Sequence, residues 1–390
     1  MEKGKIKLAL VFGTRPEAIK LAPLIQRLSK QPEFDPVSIV TAQHREMLDQ
    51  VLHTFHIRPR YDLGIMRRNQ TLADIVARAV GKLDQLFKEI RPGGVLVQGD
   101  TVTTFVASLA AFYNRIPVGH VEAGLRTGDY SEPFPEEMNR RLTSALAAWH
   151  FAPTRGAQRN LLTEGITPAS VFVTGNTVID AFHLALKATE RCRSMILPGK
   201  FASMRLILAT MHRRENHGEP MKSICLGMRD LVKRFPDVAI ALPLHRSPMV
   251  RQVVLPLLRG VERIWITEPL SYLETVRMIQ RSTLVITDSG GIQEEAPSLG
   301  KPVLILRNKT ERPEGVHAGT ARLVGTSRVR IVNETSRLLL SDSRHYATMA
   351  NAVNPYGDGR AAERICECLL YVFGRRRVRP RPFLPQPERP

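Results

Sequence analysis

The chain has 390 residues, more than twice the usual domain size of about 150 residues, so we expect two domains. Hydrophobic residues make up 43% of the chain and charged residues 24%, an ordinary globular composition that excludes disorder throughout. The 56 Lys and Arg outnumber the 37 Asp and Glu. The resulting net charge of +19 favours an anionic partner, either a nucleic acid or a phosphorylated small molecule.

Part of this charge lies in residues 374–390, where six arginines and one glutamate contribute +5. Five prolines in the same stretch predict an extended, flexible tail outside any core. Elsewhere the apolar runs are far shorter than the roughly 20 residues of a membrane-spanning helix. Four scattered cysteines do not predict a disulfide framework. We therefore expect a soluble protein of the reducing cytoplasm, without an export signal.

Short apolar runs alternate with helix-period segments along the first half of the chain, which is the pattern of successive β-α units. These runs lack polar alternation, as is typical of parallel strands that are covered on both faces. Strands are predicted at 6–12, 36–40, 95–97, 118–121, 150–152 and 171–174. Helices are predicted at 17–28, 46–55, 72–89, 102–112, 137–147 and 158–164.

The same alternation restarts after residues 189–203, where charged residues, Pro198 and Gly199 interrupt the pattern. Strands are predicted at 206–209, 239–242, 264–266, 284–287 and 303–306. Helices are predicted at 221–234, 249–258, 272–280 and 292–298. The sequence thus predicts an α/β fold of two Rossmann-like, doubly wound parallel sheets. The predicted domains are 1–188 and 189–373, with the last helices packing back on the first domain.

In open parallel sheets, ligands bind beyond the carboxyl ends of the strands, so we expect the chemistry there, in a cleft between the domains. After the first strand, Gly13 permits a tight turn and Pro16 suits the first helical position. The free N–H groups of that helix start would attract an anion. Arg15 and Lys20 would face the same cleft and bind such an anion. The alternative without a function is that both are simply solvated basic residues at a helix start.

Acidic residues follow two further strands. Asp100 follows the strand at 95–97 and Glu122 follows the strand at 118–121. Glu136 and Glu137 open the next predicted helix. Each acid has a structural alternative, because Asp can cap a helix and Glu in a first turn complements the helix dipole. Their convergence beside basic residues nevertheless favours acid–base chemistry.

In the second half, His212 and Arg213 follow the strand at 206–209, and this pattern predicts a polyanion clamp or a proton donor. His245 repeats the arrangement one strand later, with a structural role equally open. The segment Ser289-Gly290-Gly291 brings bare backbone N–H groups to a helix start, as a phosphate site requires. Glu295, one turn into that helix, could hold sugar hydroxyls. Arg312 adds a further cation in a later loop.

Taken together, these motifs make the sequence resemble the non-hydrolysing UDP-N-acetylglucosamine 2-epimerases. The resemblance covers about residues 5 to 372 and is carried by motifs such as Gly13-Thr14-Arg15-Pro16-Glu17. The matching segments are 12–20, 41–45, 119–128, 135–137, 173–180, 212–215, 287–295 and 354–359. It implies two domains of the glycosyltransferase-B type, a homodimer, and interconversion of UDP-N-acetylglucosamine with UDP-N-acetylmannosamine. It implies neither a metal ion nor a cofactor.

The resemblance also implies roles for individual residues. Asp100, Glu122 and Glu136 would be the acid–base carboxylates, and Lys20 and His212 would assist the leaving group. The residues implied to hold UDP are Arg15, His212, Ser289, Gly290, Gly291, Glu295 and Arg312. A second, activating substrate molecule would bind at Gln43, Glu46, Arg213 and His245.

Three alternatives remain open on the sequence. A UDP-sugar glycosyltransferase could use the same scaffold, because a fold does not decide a reaction. A hydrolysing epimerase would release free N-acetylmannosamine instead. The arginine-rich tail suggests a nucleic-acid or anionic-membrane binder, but RNP-type aromatics, a basic zipper and zinc-finger spacing are missing from the sequence.

Overall fold

The computed structural model of the chain describes residues 4–41, 45–65, 67, 70–190, 198–340 and 344–385, with the backbone alone at 45–47. The chain divides into two compact units. Of the described residues, the first unit holds those up to 181 together with 356–384, and the second holds those of 182–355. The chain therefore returns to its first unit after completing the second.

The first unit is built on a seven-stranded sheet with the order β3-β2-β1-β4-β5-β6-β7, in which all paired strands are parallel. Its strands are β1 (Ile6–Phe12), β2 (Phe34–Val40), β3 (Tyr61–Asp62), β4 (Gly94–Gln98), β5 (Val118–Val121), β6 (Trp149–Ala152) and β7 (Val171–Val173). Its helices are α1 (Arg15–Ser29), α2 (Arg45–Thr54), α3 (Leu72–Ile90), α4 (Val102–Tyr113), α5 (Glu136–Leu146), α6 (Arg155–Thr163) and the first turn of α7 (Thr177–Thr189).

The second unit holds a six-stranded parallel sheet with the order β10-β9-β8-β11-β12-β13. Its strands are β8 (Arg205–Thr210), β9 (Val238–Pro243), β10 (Ile264–Thr267), β11 (Leu284–Thr287), β12 (Val303–Ile305) and β13 (Ala321–Leu323). Its helices are α8 (Glu219–Arg234), α9 (Pro248–Leu258), α10 (Tyr272–Arg281), α11 (Gly290–Glu295), α12 (Pro313–His317), α13 (Arg328–Leu339) and α14 (Arg344–Ala350). The last helix, α15 (Ala361–Val372), belongs to the first unit and packs on α1.

The predicted pair of parallel α/β sheets is confirmed. The central strands are buried along their length, as in β4, because helices cover both faces of each sheet. Two edge strands were not predicted, since β3 and β13 have only two and three residues and carry no apolar run of their own. The helices α7, α12, α13, α14 and α15 were not predicted as separate elements either.

The boundary between the units lies inside α7, between Ala181 and Phe182, whereas the predicted boundary follows that helix. Among the described residues, none of the helices combines the length and the hydropathy needed to cross a membrane.

Residues 374–384, which we call the C-terminal strap, contain neither helix nor strand, and they reach the edge strand β7. The backbone N–H of Phe383 donates to the carbonyl of Val173 at 2.8 Å, and the Phe383 side chain is buried. The guanidinium of Arg379 lies 4.3 Å over the ring of Phe172 and donates to the carbonyl of Val171 at 2.7 Å. The prediction that this segment stays outside any core is therefore wrong for Phe383.

Candidate functional site

In the first unit, two of the predicted catalytic residues form an ion pair beyond the carboxyl end of β5. The Nζ atom of Lys20, from the second turn of α1, lies 2.8 Å from Oε1 and 2.5 Å from Oε2 of Glu122. The side-chain amide of Gln98 donates to Oε2 of Glu122 at 3.0 Å. Glu122 has a φ of 66°, a left-handed conformation that is rare for a residue other than glycine and is often found at functional sites.

Asp100 follows the neighbouring strand β4 and is held by α5. Its Oδ2 atom accepts from Nε of Arg140 at 2.9 Å and lies 2.7 Å from Nη2 of the same guanidinium. The side chain of Asn139 donates to the Asp100 carbonyl at 3.0 Å. This contact with the buried Arg140 side chain gives the Asp100 carboxylate a fixed orientation, which proton transfer from a defined direction requires.

The two glutamates that open α5 differ in environment. Glu137 is fully buried, pairs with Arg140 Nη1 at 3.2 Å, and accepts from the backbone N–H of Thr127 at 3.1 Å. Glu136 is partly exposed. Glu137 is therefore a structural group that anchors α5 and Arg140, and Glu136 is the less buried member of the pair.

Glu17, a residue to which the sequence analysis gave no role in the site, connects two of its loops. Its Oε2 atom accepts from the backbone N–H groups of Gly13 at 3.0 Å and Thr14 at 2.7 Å. Its Oε1 atom accepts from the hydroxyl of Thr101 at 2.6 Å. Burial raises the pKa of Glu17, against the hydrogen bonds from Thr101 and Thr14, which lower it. The Thr-x-x-Glu capping spacing of Thr14 and Glu17 was the signal that could have revealed it.

In the second unit, Ser289, Gly290 and Gly291 lie where predicted, between β11 and α11, with Ser289 as the residue before the helix. The Arg312 guanidinium lies against Gly290, so a Cβ atom there would be 2.6 Å from Nη1 of Arg312. Arg312 is buried, donates to Glu294, and donates to Oε1 of Glu311 at 2.7 Å. A side chain at 290 would therefore force the guanidinium of Arg312 to shift against its contacts with these carboxylates.

Four other predicted residues of the second unit can also be located. Glu295 is buried and accepts from the hydroxyl of Tyr272 at 2.9 Å. His212 follows β8, and its ring stacks on that of His245 with centroids 5.8 Å apart. The guanidinium of Arg213 lies 3.8 Å from the Glu311 carboxylate. Because β9, β8 and β11 are neighbours in the sheet, the loops after these strands bring His245, His212 and Ser289 to one edge.

Two predicted positions cannot be located. Gln43 lies outside the described residues, and the side chain of Glu46 does as well. Arg15 is the first residue of α1 and is partly exposed. Within the described residues, no group of three or more His, Cys, Asp or Glu side chains is arranged to hold a metal ion.

Two doubly wound parallel sheets with polar groups after their strands define an α/β protein of the glycosyltransferase-B fold class. The model of one family, described as UDP-N-acetylglucosamine 2-epimerase, matches residues 26–370. The chain belongs to this family.

Individual relatives agree with this assignment. The UDP-N-acetylglucosamine 2-epimerase of Bacillus subtilis is 51% identical over 97% of this chain and 99% of its own length. The solved S. aureus MnaA–UDP complex has a TM-score of 0.89 at 46% identity and covers 97% of this chain and 100% of its own. The Neisseria meningitidis UDP-GlcNAc 2-epimerase bound to UDP-GlcNAc has a TM-score of 0.87 at 49% identity, covering 94% of this chain and 100% of its own.

Proposed function

We propose that this protein interconverts UDP-N-acetylglucosamine and UDP-N-acetylmannosamine by inverting carbon 2 of the sugar, without hydrolysis. The observation that carries the proposal is the pair of oriented carboxylates after β4 and β5, Asp100 and Glu122, the second with its Lys20 partner, in a chain of this family. The solved relative from Neisseria meningitidis that binds UDP-GlcNAc supports the choice of substrate.

The proposed chemistry follows from the substrate. The proton on carbon 2 is not next to a carbonyl, so its removal alone would leave a very unfavourable carbanion. We infer an elimination in which a carboxylate takes this proton, the C1–O bond breaks, and its electron pair goes to the departing UDP. Re-addition of UDP to the resulting 2-acetamidoglucal, with a proton delivered to the opposite face, gives the epimer. Each proton-transfer group would contribute about 10² to 10⁴ in rate.

Residue roles follow the same scheme. Asp100, Glu122 and Glu136 would be the acid–base groups, and Lys20 would stabilise the charge that develops on UDP. In the second unit, Ser289, Gly290 and Gly291 would offer backbone N–H groups to the diphosphate, and Glu295 would hold the ribose. Arg15, His212 and Arg312 would add positive charge to the diphosphate site.

A second substrate molecule would act as an activator at Gln43, Glu46, Arg213 and His245. The reverse reaction tests this proposal, because UDP-N-acetylmannosamine alone would then react with a lag that traces of UDP-N-acetylglucosamine remove. A hyperbolic dependence on UDP-N-acetylmannosamine that starts without a lag would contradict activation.

Proton NMR of the purified protein with UDP-N-acetylglucosamine in deuterated water tests the reaction class. We expect deuterium at carbon 2 and UDP-N-acetylmannosamine as the product, because the proton is exchanged during elimination. Release of free N-acetylmannosamine would identify a hydrolysing epimerase. Unchanged stereochemistry, with transfer to an added acceptor, would identify a glycosyltransferase.

Substitution of the carboxylates tests the residue roles. We expect Asp100→Asn, Glu122→Gln and Glu136→Gln each to lower kcat about a hundredfold or more, because such groups act mainly in the transition state. UDP affinity, measured by calorimetry, should stay within about threefold of the original. Glu132→Gln, in an exposed loop near α5, is the control and should keep normal turnover. Near-normal turnover in all three site variants would refute the roles.

We also propose that the protein is a cytoplasmic homodimer that supplies a precursor of cell-surface polysaccharide. Supporting a dimer, Met138 and Leu142 lie four residues apart on α5, Phe134 lies just before the helix, and all three are exposed, Phe134 by 68%. Supporting a reducing compartment, Cys225, Cys366 and Cys368 are buried free thiols.

The dimer proposal predicts a solution mass of twice 43.8 kDa in light scattering. Phe134→Lys combined with Met138→Lys should give the monomer mass, because two buried lysines would destabilise a symmetric apolar interface. Val329→Lys, at a residue of the second unit that is 68% exposed, is the control and should stay dimeric. A monomeric unmodified protein would refute the proposal.

A further inference from the structure

The Asp288 carboxylate lies directly behind the imidazole of His212. Asp288 follows β11 and His212 follows β8, and these neighbouring parallel strands are in register at Thr210 and Thr287. The Asp288 side chain is completely buried, whereas 38% of the His212 side chain is exposed. The imidazole therefore has its Nδ1 edge toward a buried carboxylate, while part of the ring is exposed.

The two carboxylate oxygens of Asp288 share one donor and otherwise have different partners. Oδ2 accepts from three donors: the backbone N–H of His212 at 2.9 Å, that of Arg213 at 2.9 Å, and Nδ2 of Asn216 at 3.0 Å. Oδ1 lies 3.1 Å from the ring nitrogen Nδ1 of His212 and also accepts from the backbone N–H of His212 at 3.2 Å. Burial favours the protonated form of Asp288. The His212 ring and the backbone donors outweigh that effect and hold the pKa of Asp288 below its ordinary value.

An ionised carboxylate can only accept hydrogen bonds, so Nδ1 of His212 carries a hydrogen. His245, which stacks on His212 at an interplanar angle of 23°, has the opposite arrangement. Its Nδ1 accepts from the backbone N–H of Ser247 at 3.1 Å and therefore carries no hydrogen. Burial, followed by the proximity of His212, lowers the pKa of His245. Of the two stacked rings, His212 is the one whose Nδ1 faces a carboxylate.

We propose that Asp288 is a positioning residue for the reaction. It keeps the hydrogen of His212 on Nδ1 and stabilises positive charge on the ring, so that the protonated Nε2 can donate to a phosphate oxygen. In this inference, which rests on the proposed function, UDP gains the electron pair of the C1–O bond while Nε2–H donates to its β-phosphate. As negative charge develops on UDP, the hydrogen bond from Nε2 to the phosphate oxygen shortens, or its proton moves to UDP. If the proton moves, it returns to Nε2 when UDP adds back to the sugar.

The structure determines how an asparagine at 288 would orient. Three donors face the Oδ2 position at 2.9 to 3.0 Å, whereas the one backbone donor near Oδ1 is longer, at 3.2 Å, so the amide oxygen of Asp288→Asn would occupy the Oδ2 position. The amide nitrogen would then face Nδ1 of His212 across 3.1 Å. Because this nitrogen is a donor, Nδ1 must become an acceptor, and the hydrogen must move to Nε2. The variant would keep a donor toward the phosphate but would disfavour a positively charged ring.

The experiment is two-bond ¹H–¹⁵N NMR on the full-length protein labelled with ¹⁵N-histidine, at a pH where His212 is neutral. Signals of His212 are identified by their loss in His212→Gln. We expect hydrogen on Nδ1 in the unmodified protein and on Nε2 in Asp288→Asn. Asn216→Ala removes a donor to Oδ2 without touching the Nδ1 contact, so this control should keep the original tautomer.

Kinetics provides the second measurement. Asp288→Asn should lower kcat at least tenfold, the size expected for losing one charge-assisted hydrogen bond in the transition state, and should change KM less than threefold. A bare Nδ1 in the unmodified protein, or an unchanged tautomer in Asp288→Asn, would overturn the proposal. The NMR result requires no turnover, and the remaining histidine signals show whether each variant is folded. Failure of this inference is therefore distinguishable from failure of the epimerase assignment, which would appear as an inactive unmodified protein.

Discussion

Buried polar side chains hold the loops of the first unit in place. Glu17 ties the loop after β1 to the loop after β4. His120, fully buried in β5, contacts the Gly99 carbonyl at 2.7 Å through Nε2. Gly99 precedes Asp100 and has a φ of 74°, a conformation that strongly favours glycine. The position of Asp100 thus depends on two buried side chains as well as on Arg140.

His120 makes the stability of the protein depend on pH. Burial, partly opposed by the hydrogen bond to the Gly99 carbonyl, lowers the pKa of His120 to about 3. The unfolded chain, with an ordinary histidine pKa near 6.5, binds a proton first as pH falls, so the folded state loses stability below about pH 6.5. We expect this residue to cost the folded protein about 3 kcal/mol between pH 7 and pH 4.5.

Urea unfolding of His120→Gln at the two pH values measures this effect, and the variant should lose most of the difference. His53→Gln, at an exposed histidine of α2, should retain it. An equally steep pH dependence in His120→Gln would assign the acid sensitivity to other groups.

At the scale of elements, the C-terminal strap protects the open edge of the first sheet. The strand β7 is the last in the order and would otherwise expose unpaired backbone groups, which invite pairing with another chain. The strap supplies a backbone donor to Val173, and Arg379 donates to the carbonyls of residues 168, 169 and 171. Its arginines therefore serve the fold as well as the net charge.

Phe383 anchors the strap, because its ring is 3% exposed and the guanidinium of Arg364 lies 5.1 Å from its centroid. We expect Phe383→Ala to lower the free energy of unfolding by about 3 kcal/mol, the usual cost of deleting a buried aromatic ring. The neighbouring Leu384 is 50% exposed, so Leu384→Ala should change it by less than about 0.5 kcal/mol. Denaturant unfolding of the two variants compares them. Equal, small losses would show that the strap is only loosely attached.

At the scale of the whole molecule, the net charge of +19 predicts nonspecific attraction to polyanions that weakens with salt. Arg377 and Arg381 are exposed members of the strap, so their charge can be removed without disturbing Phe383 or Arg379. We expect Arg377→Gln combined with Arg381→Gln to weaken binding to duplex DNA at low salt. The slope of log affinity against log salt should fall by up to about two, while epimerase turnover stays normal.

Fluorescence anisotropy of labelled duplex DNA over a salt series measures the binding, and the turnover assay measures the activity. Together they test whether the charge of the strap affects DNA binding without affecting catalysis. Arg377→Lys combined with Arg381→Lys keeps the charge at both positions and is the control. Loss of turnover in the glutamine variant, but not in the lysine variant, would instead connect the polyanion affinity with the main activity.

Much of this architecture is readable from the sequence because its signals are local. Buried parallel strands such as β4 and β11 appear as continuous apolar runs, and Asp100, Glu122 and Ser289 stand directly after such runs. The edge strands β3 and β13 carry no such signal, because only their neighbours in the sheet make them strands. Phe383 was assigned to a flexible tail for the same reason: composition cannot reveal a docking surface.

Local sequence patterns were enough to predict the two α/β sheets, the edges at which polar groups gather, and the resemblance to the epimerase family. The pairing of the polar groups depended on how the chain folds. Folding joined Lys20 to Glu122 across 102 positions and His212 to Asp288 across 76, and it buried Glu17 and Glu137 as structural anchors. A strand or helix pattern involves residues that are close together in the sequence, so it can be recognised from the sequence alone. An ion pair forms between residues that are far apart in the sequence, and folding brings them within a few ångströms of each other.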